Sequence, residues 1–278
     1  MSSTHTLDAL DARIREALAR DPRLPYALAY GSRTQVDAAG TSLGDEWSDL
    51  EYWAFLGEGE TLDPFTFLGA LTPLALAFVN PFGTPNIVTP DLIRVELHVA
   101  PVAEIAQVGG WPNSGDVPGR MLIKDADGRL GELLARRAAS PPFGATLPGS
   151  QAEYDGVLGA LVFGSALLAR GEGLRAWDGL FWVRAGLLRL ARVADGAPQP
   201  LNPARRAEWE LSGRWAQAIR ATGAGVEVGT AYTAAVDTAG ALAQVLALNP
   251  RAEVRAALTR RLAHLRPGRR GGAGGSRG

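Results

Sequence analysis

Residues 25–56, PYALAYGSRTQVDAAGTSLGDEWSDLEYWAFL, decide how the rest of the chain is read. An apolar run ends in Gly31-Ser32, a polar and glycine-containing loop follows, and a second strand-like run opens with Asp49-Leu50-Glu51. Successive side chains of a strand point to opposite faces, so Asp49 and Glu51 share a face, about 7 Å apart along the backbone. Two neighbouring carboxylates repel unless water or a divalent cation separates them, and Mg²⁺ is commonly held by one or two carboxylates plus substrate phosphates. A small-residue turn after a strand presents backbone N–H groups to phosphate oxygens, which is the role the pattern gives to Gly31 and Ser32.

Working outward, the 278 residues suggest two domains with length enough for real cores. A net charge of -1 argues against a dedicated nucleic-acid binder, which would carry a basic face. Cysteine is absent, excluding a disulfide framework and thiolate metal sites. The first residues lack a basic start and an apolar core of signal-peptide length, and no later run reads as the roughly 20 apolar residues of a membrane span. The expectation is a cytoplasmic protein with no membrane and no nucleic acid among its partners.

Leu7, Leu10, Ile14 and Leu18 recur at helical spacing and Asp21-Pro22 closes that helix. Strands are expected at 24–30, 50–56, 74–79, 93–99 and 120–124, with short helices at 62–71 and 129–138. Asn80-Pro81-Phe82-Gly83 is a turn. In Ile93–Val99, IRVELHV, the residues Arg94, Glu96 and His98 fall on one face and Val95, Leu97 and Val99 on the other. Such a charged face most often meets solvent, and a single strand histidine is usually structural. From Ser140 to Ser150 periodicity breaks down, placing a boundary between a domain over 1–140 and a helical one over 151–267, with a flexible basic tail at 268–278. Helices are expected at 151–170, 174–195, 203–222, 229–248 and 250–265. Trp177, Phe181 and Trp182 lie at helical spacing and are read as core rather than as a substrate wall.

The Gly-Ser turn followed by Ser48-Asp49-Leu50-Glu51 resembles the nucleotidyltransferase superfamily that contains polymerase beta and the antibiotic-modifying nucleotidyltransferases. The loop between Ser32 and Asp49 is several residues longer than is common there, the surplus lying in Asp37–Gly44. Further pieces narrow the resemblance to the B-type lincosamide nucleotidyltransferases: Tyr30-Gly31-Ser32, Phe82-Gly83-Thr84, Asp91 to His98, Met121 to Leu130 and Arg170-Gly171-Glu172, in the same order over about residues 5 to 195. What it implies is an α+β fold, an N-terminal mixed sheet with flanking helices followed by a C-terminal helical bundle. It implies a Mg²⁺-dependent enzyme moving AMP from ATP to a hydroxyl of a small acceptor, a lincosamide-type antibiotic.

Aminoglycoside adenylylation, and a non-catalytic nucleotide-binding or antitoxin-like partner protein, are the alternatives. Acidic residues are not concentrated in the helical half, which favours a less charged acceptor than an aminoglycoside. The partners expected are the nucleoside triphosphate and the acceptor, with a second copy of the chain allowed.

On this reading Asp49, Glu51 and Glu96 are catalytic and the candidate metal ligands. Glu96 is the third carboxylate, either a ligand or the base that takes the hydroxyl proton, because a carboxylate beside two others is expected to hold a proton more readily. Gly31, Ser32 and Ser48 would hold the nucleotide. His98, Lys124, Arg170 and Arg192 are candidates for acceptor or phosphate contacts, each against a plainer reading as a structural or solvated residue.

Overall fold

The site is carried by a six-stranded mixed sheet whose centre is the strand that follows Asp49. In the computed structural model, which describes residues 3–37, 40–146, 149–223 and 227–265, the strands are β1 Tyr26–Tyr30, β2 Leu50–Leu56, β3 Leu76–Val79, β4 Pro85–Val88, β5 Arg94–Pro101 and β6 Leu122–Asp125. Their order is β3-β4-β5-β2-β1-β6. β2 pairs parallel with β5 and antiparallel with β1, so it is covered on both edges.

The fold is α+β, and the chain divides into two units, Met1–Pro142 and Phe143–Gly278. In the first unit, alternation along β2 sorts the side chains. Leu50, Tyr52 and Ala54 turn to one core with Leu7, Leu10, Ile14 and Leu18 of helix α1 (Ser3–Arg20), all buried. Phe55 turns to a second core with Tyr26, Leu28, Ile105, Met121 and Leu134. Leu134 comes from α4 (Arg129–Ala139), whose chain order follows α2 (Pro64–Gly69) and the single turn α3 (Pro118–Met121). Removing that much apolar surface from water on both faces is the main force holding the sheet.

Several elements depart from expectation. β4 was not anticipated: the chain turns through Asn80–Thr84, with the Asn80 amide accepting from Thr84 N–H at 3.0 Å, and returns antiparallel to β3. The strand expected at 120–124 begins only at Leu122, because Pro118 opens a helical turn through Met121. A 3₁₀ segment, Val102–Gly110, also went unread.

The second unit is helical: α5 Ser150–Ala169, α6 Gly173–Asp195, α7 Ala207–Glu210, α8 Gly213–Arg220, α9 Val228–Val245 and α10 Ala252–Leu265. The single helix expected over 203–222 is two short ones, since Arg206 adopts a left-handed φ of 56° and the chain is extended at Leu211 and Ser212. Trp177 packs against the core, but Phe181 and Trp182 are 60% and 69% exposed, so the core reading fails for those two. They fall off the Leu180–Val183–Leu187 stripe by more than a quarter turn. Against expectation, α5 is long and apolar enough to cross a membrane by length and composition, with a window of mean hydropathy 1.3 of which 39% is buried. Its buried residues Tyr154, Val157, Leu158, Leu161 and Leu167 belong to the helical core, and a core helix meets the same criterion. The tail at 268–278 lies outside the described residues.

Candidate active site

The end of β1, the start of β2 and the start of β5 meet at one end of the sheet. In register, Tyr30 faces Glu51 and Glu51 faces Glu96, so a phenol and two carboxylates stand in a row across three strands. Asp49 lies one residue before β2 and joins the row through Arg94, whose guanidinium is 3.2 Å from Asp49 Oδ2 and also contacts Glu96 Oε1.

The turn after β1 is shaped by this row. Gly31 has φ 81°, a backbone conformation that favours glycine, and a Cβ placed there would meet the Glu51 carboxylate and push it aside. A 3₁₀ turn, Ser32–Thr34, follows. Ser32 donates to Ser48 Oγ at 2.9 Å, which ties the turn to the residue preceding Asp49. Beneath it the buried Thr34 hydroxyl lies within hydrogen-bond distance of Gly31 O (2.9 Å) and Asp116 Oδ1 (2.8 Å), and Arg137 pairs with Asp116 at 2.5 Å. Buried charge is stable when paired and hydrogen-bonded in this way, and the network pins the turn from below.

Glu96 is only 5% exposed. Besides Arg94 it accepts from the Tyr30 hydroxyl at 3.4 Å, and His98 Nε2 stands 3.9 Å away. Burial, and then the charges of Glu51 and Asp49, push the Tyr30 phenol well above its ordinary 10, so it remains a donor at neutral pH. Burial pulls His98 below 6.5. The carboxylate at 3.9 Å does not reverse that, since Arg94 already meets its charge. Neutral His98 shares a hydrogen bond with Thr84 Oγ1 at 3.2 Å and stacks on Trp53, with ring centroids 4.3 Å apart and planes 1° apart. Trp111 lies 5.0 Å from Trp53, and Tyr30 5.9 Å from His98, completing an aromatic shelf beside Glu96.

The structure therefore groups Gly31, Ser32, Ser48, Asp49, Glu51, Glu96 and His98. Three cations suggested for acceptor or phosphate contacts have other partners. Lys124 donates to Asp21 O at 2.6 Å, where α1 ends. Arg170 pairs with Glu172 at 3.7 Å. Arg192 is fully buried and committed to Pro198 O, Pro203 O, Arg205 O and Glu210, so its burial argues against a phosphate contact.

Sequence reasoning passed over Asn86, Trp53 and Trp111. Trp53 continues the alternation of Asp49 and Glu51 and was legible, whereas Asn86 sits in the strand that was missed.

Among the described residues no three acidic or histidine side chains converge as a ready metal cluster. The donor chemistry nonetheless fits Mg²⁺, which needs only one or two carboxylates when phosphates complete its shell. Asp49 and Glu51 both act on the Tyr30 hydroxyl, and a cationic group is already drawn to Asp49.

No protein-family profile matches the chain, and no curated protein does. Among solved structures it is similar to an aminoglycoside 6-adenyltransferase from Bacillus subtilis, at 15% identity over 95% of this chain and 98% of that one, with a TM-score of 0.38. It is also similar to a nucleotidyltransferase-like protein from Exiguobacterium sibiricum 255-15, at 14% identity over 94% and 81%, with a TM-score of 0.33. Scores this low leave the functional argument to the site itself.

Proposed function

We propose that the protein is a nucleotidyltransferase that moves AMP from ATP to a hydroxyl of a small acceptor. The observation that carries this is the row Tyr30–Glu51–Glu96 beside the Gly31-Ser32 turn, whose glycine has a left-handed φ and lies against the Glu51 carboxylate. In this reading the turn receives the triphosphate through its backbone N–H groups, and Asp49 and Glu51 hold Mg²⁺. The ion would neutralise charge on the phosphates. Glu96 takes the proton of the acceptor hydroxyl as its oxygen bonds to the α-phosphorus. The bond from that phosphorus to the bridging oxygen breaks, and pyrophosphate leaves. Tyr30, donating to Glu96, orients the carboxylate.

The motif string from Tyr30 to Glu172 supports a lincosamide-type acceptor. The aromatic cluster of Trp53, His98 and Trp111 agrees with it, since it sets uncharged rings beside Glu96 where a polycationic aminoglycoside would want further carboxylates. The test is a panel of lincosamides and aminoglycosides with each nucleoside triphosphate and Mg²⁺, following pyrophosphate release and the mass of the acceptor. Adenylylated lincosamide is the expected product. An adenylylated aminoglycoside would move the acceptor class, and no transfer to any acceptor would overturn the reading.

A further inference from the structure

Arg94 stands where two of the carboxylates meet, and it is aimed there. Its Nε donates to Asn86 Oδ1 at 2.8 Å, while Nη1 and Nη2 reach Asp49 and Glu96. Asn86 is 0% exposed and opposes Glu96 across the β4–β5 ladder. Its amide nitrogen donates to Thr84 O at 3.0 Å, which turns the amide oxygen towards Arg94. A buried amide with both ends engaged is a fixed acceptor, and the planar guanidinium fork keeps its remaining donors pointed one way. On its outer side the Arg94 side chain is 45% exposed, so it has water to move into.

We propose that Arg94, positioned by Asn86, is the site's built-in counter-cation. It satisfies Asp49 and Glu96 when no divalent ion is present, competes with that ion for Asp49, and releases Asp49 when the ion binds. The identity of the ion rests on the transferase reading, but the competition follows from charge alone. A guanidinium and a divalent ion on one carboxylate repel strongly at contact distance, the more so beside a buried partner such as Glu96. Fixed charge of this kind lets the metal-free site fold without stranded carboxylates, at the cost of metal affinity.

The test is calorimetric titration of Mn²⁺ into the full chain without nucleotide, for the parent, R94M and R94K. R94M is expected to bind Mn²⁺ at least about tenfold more tightly than the parent. R94K, which keeps the charge, should stay within about threefold. Affinity in R94M that is equal, weaker or undetectable overturns the proposal. Should R94M fail to fold, the parent still decides: the Arg94 Nη–H resonances, identified by their loss in R94K, should exchange faster with water once Mg²⁺ saturates the site and Asp49 is released, and unchanged exchange overturns the proposal. Tighter binding in R94M from a protein that transfers nothing would refute the transferase reading and leave the counter-cation standing.

Discussion

Two arginines show how differently the two units use a cation. In the helical unit, fully buried Arg192 donates to the backbone oxygens of Pro198, Pro203 and Arg205 and pairs with Glu210. Those carbonyls belong to the irregular stretch between α6 and α7, which has few hydrogen bonds of its own, and the guanidinium supplies what a helix would otherwise provide. In the sheet unit, half-exposed Arg94 is held by one buried amide and two carboxylates. A loop carbonyl has one conformation in which it is satisfied, whereas a carboxylate at the end of a sheet can exchange one cation for another. The first arrangement is architecture and the second is chemistry.

The carboxylates give the sharpest way to break that distinction. Asp49→Asn and Glu51→Gln should each lower transfer by at least about 10³-fold. Unfolding free energy, measured in urea, should change by less than about 1 kcal/mol, because neither side chain fills a core. A variant that loses its fold along with its activity would place these carboxylates with Arg192.

Glu96 comes next. Its replacement in Glu96→Gln should slow single turnover at saturating Mg²⁺ and ATP by about 10² to 10⁴-fold, the effect of removing a general base, with nucleotide affinity nearly unchanged. Affinity falling in step with rate, or a rate restored by raising Mg²⁺, would make Glu96 a metal ligand instead.

Arg192 should show the reverse pattern. Arg192→Met leaves three carbonyls without this donor and Glu210 with Arg206 alone, and breaking a buried pair of this kind costs about 3 kcal/mol. The variant's urea midpoint should drop accordingly while any transfer by the folded fraction stays near the parent's. Loss of turnover without loss of stability would return Arg192 to the phosphate role that its burial argues against.

How much of this was legible depended on period. Asp49, Glu51, Glu96 and His98 were readable because strand alternation fixes which side chains share a face, and Gly31-Ser32 because a turn after an apolar strand has few other uses. Asn86 was not, since β4 is a four-residue strand that opens with proline. Arg94 was placed on the right face but read as solvent-facing, because sequence alone does not show that a neighbouring strand presents a buried amide to it. Arg192 carried a signal that went unused: it lies four residues after buried Leu188, one helical turn further along the same side of α6. Lys124 carried none, as its bond to Asp21 O depends on where α1 ends beside β6.

The smallest expected effect concerns His98, which lies between the two kinds of role: it stacks on Trp53 as a core ring would, yet stands beside Glu96. Burial lowers its pKa from 6.5, so the folded protein resists a proton that the unfolded chain accepts. The unfolded state then binds more protons just below pH 6.5, and stability must fall as pH drops through that value, levelling off below the folded pKa. The groups facing the ring are Glu96, Tyr30, Thr84 and Trp53, and of these only Glu96 can pair with an imidazolium. His98→Gln keeps a donor and acceptor for Thr84 and removes the titration. Its unfolding free energy, compared with the parent's between pH 7.5 and 5, should be less sensitive to acid. A parent whose stability rises on acidification across that window would mean that folded His98 takes up a proton and is held as imidazolium by Glu96, and that Arg94 does not hold the carboxylate's charge as its geometry indicates.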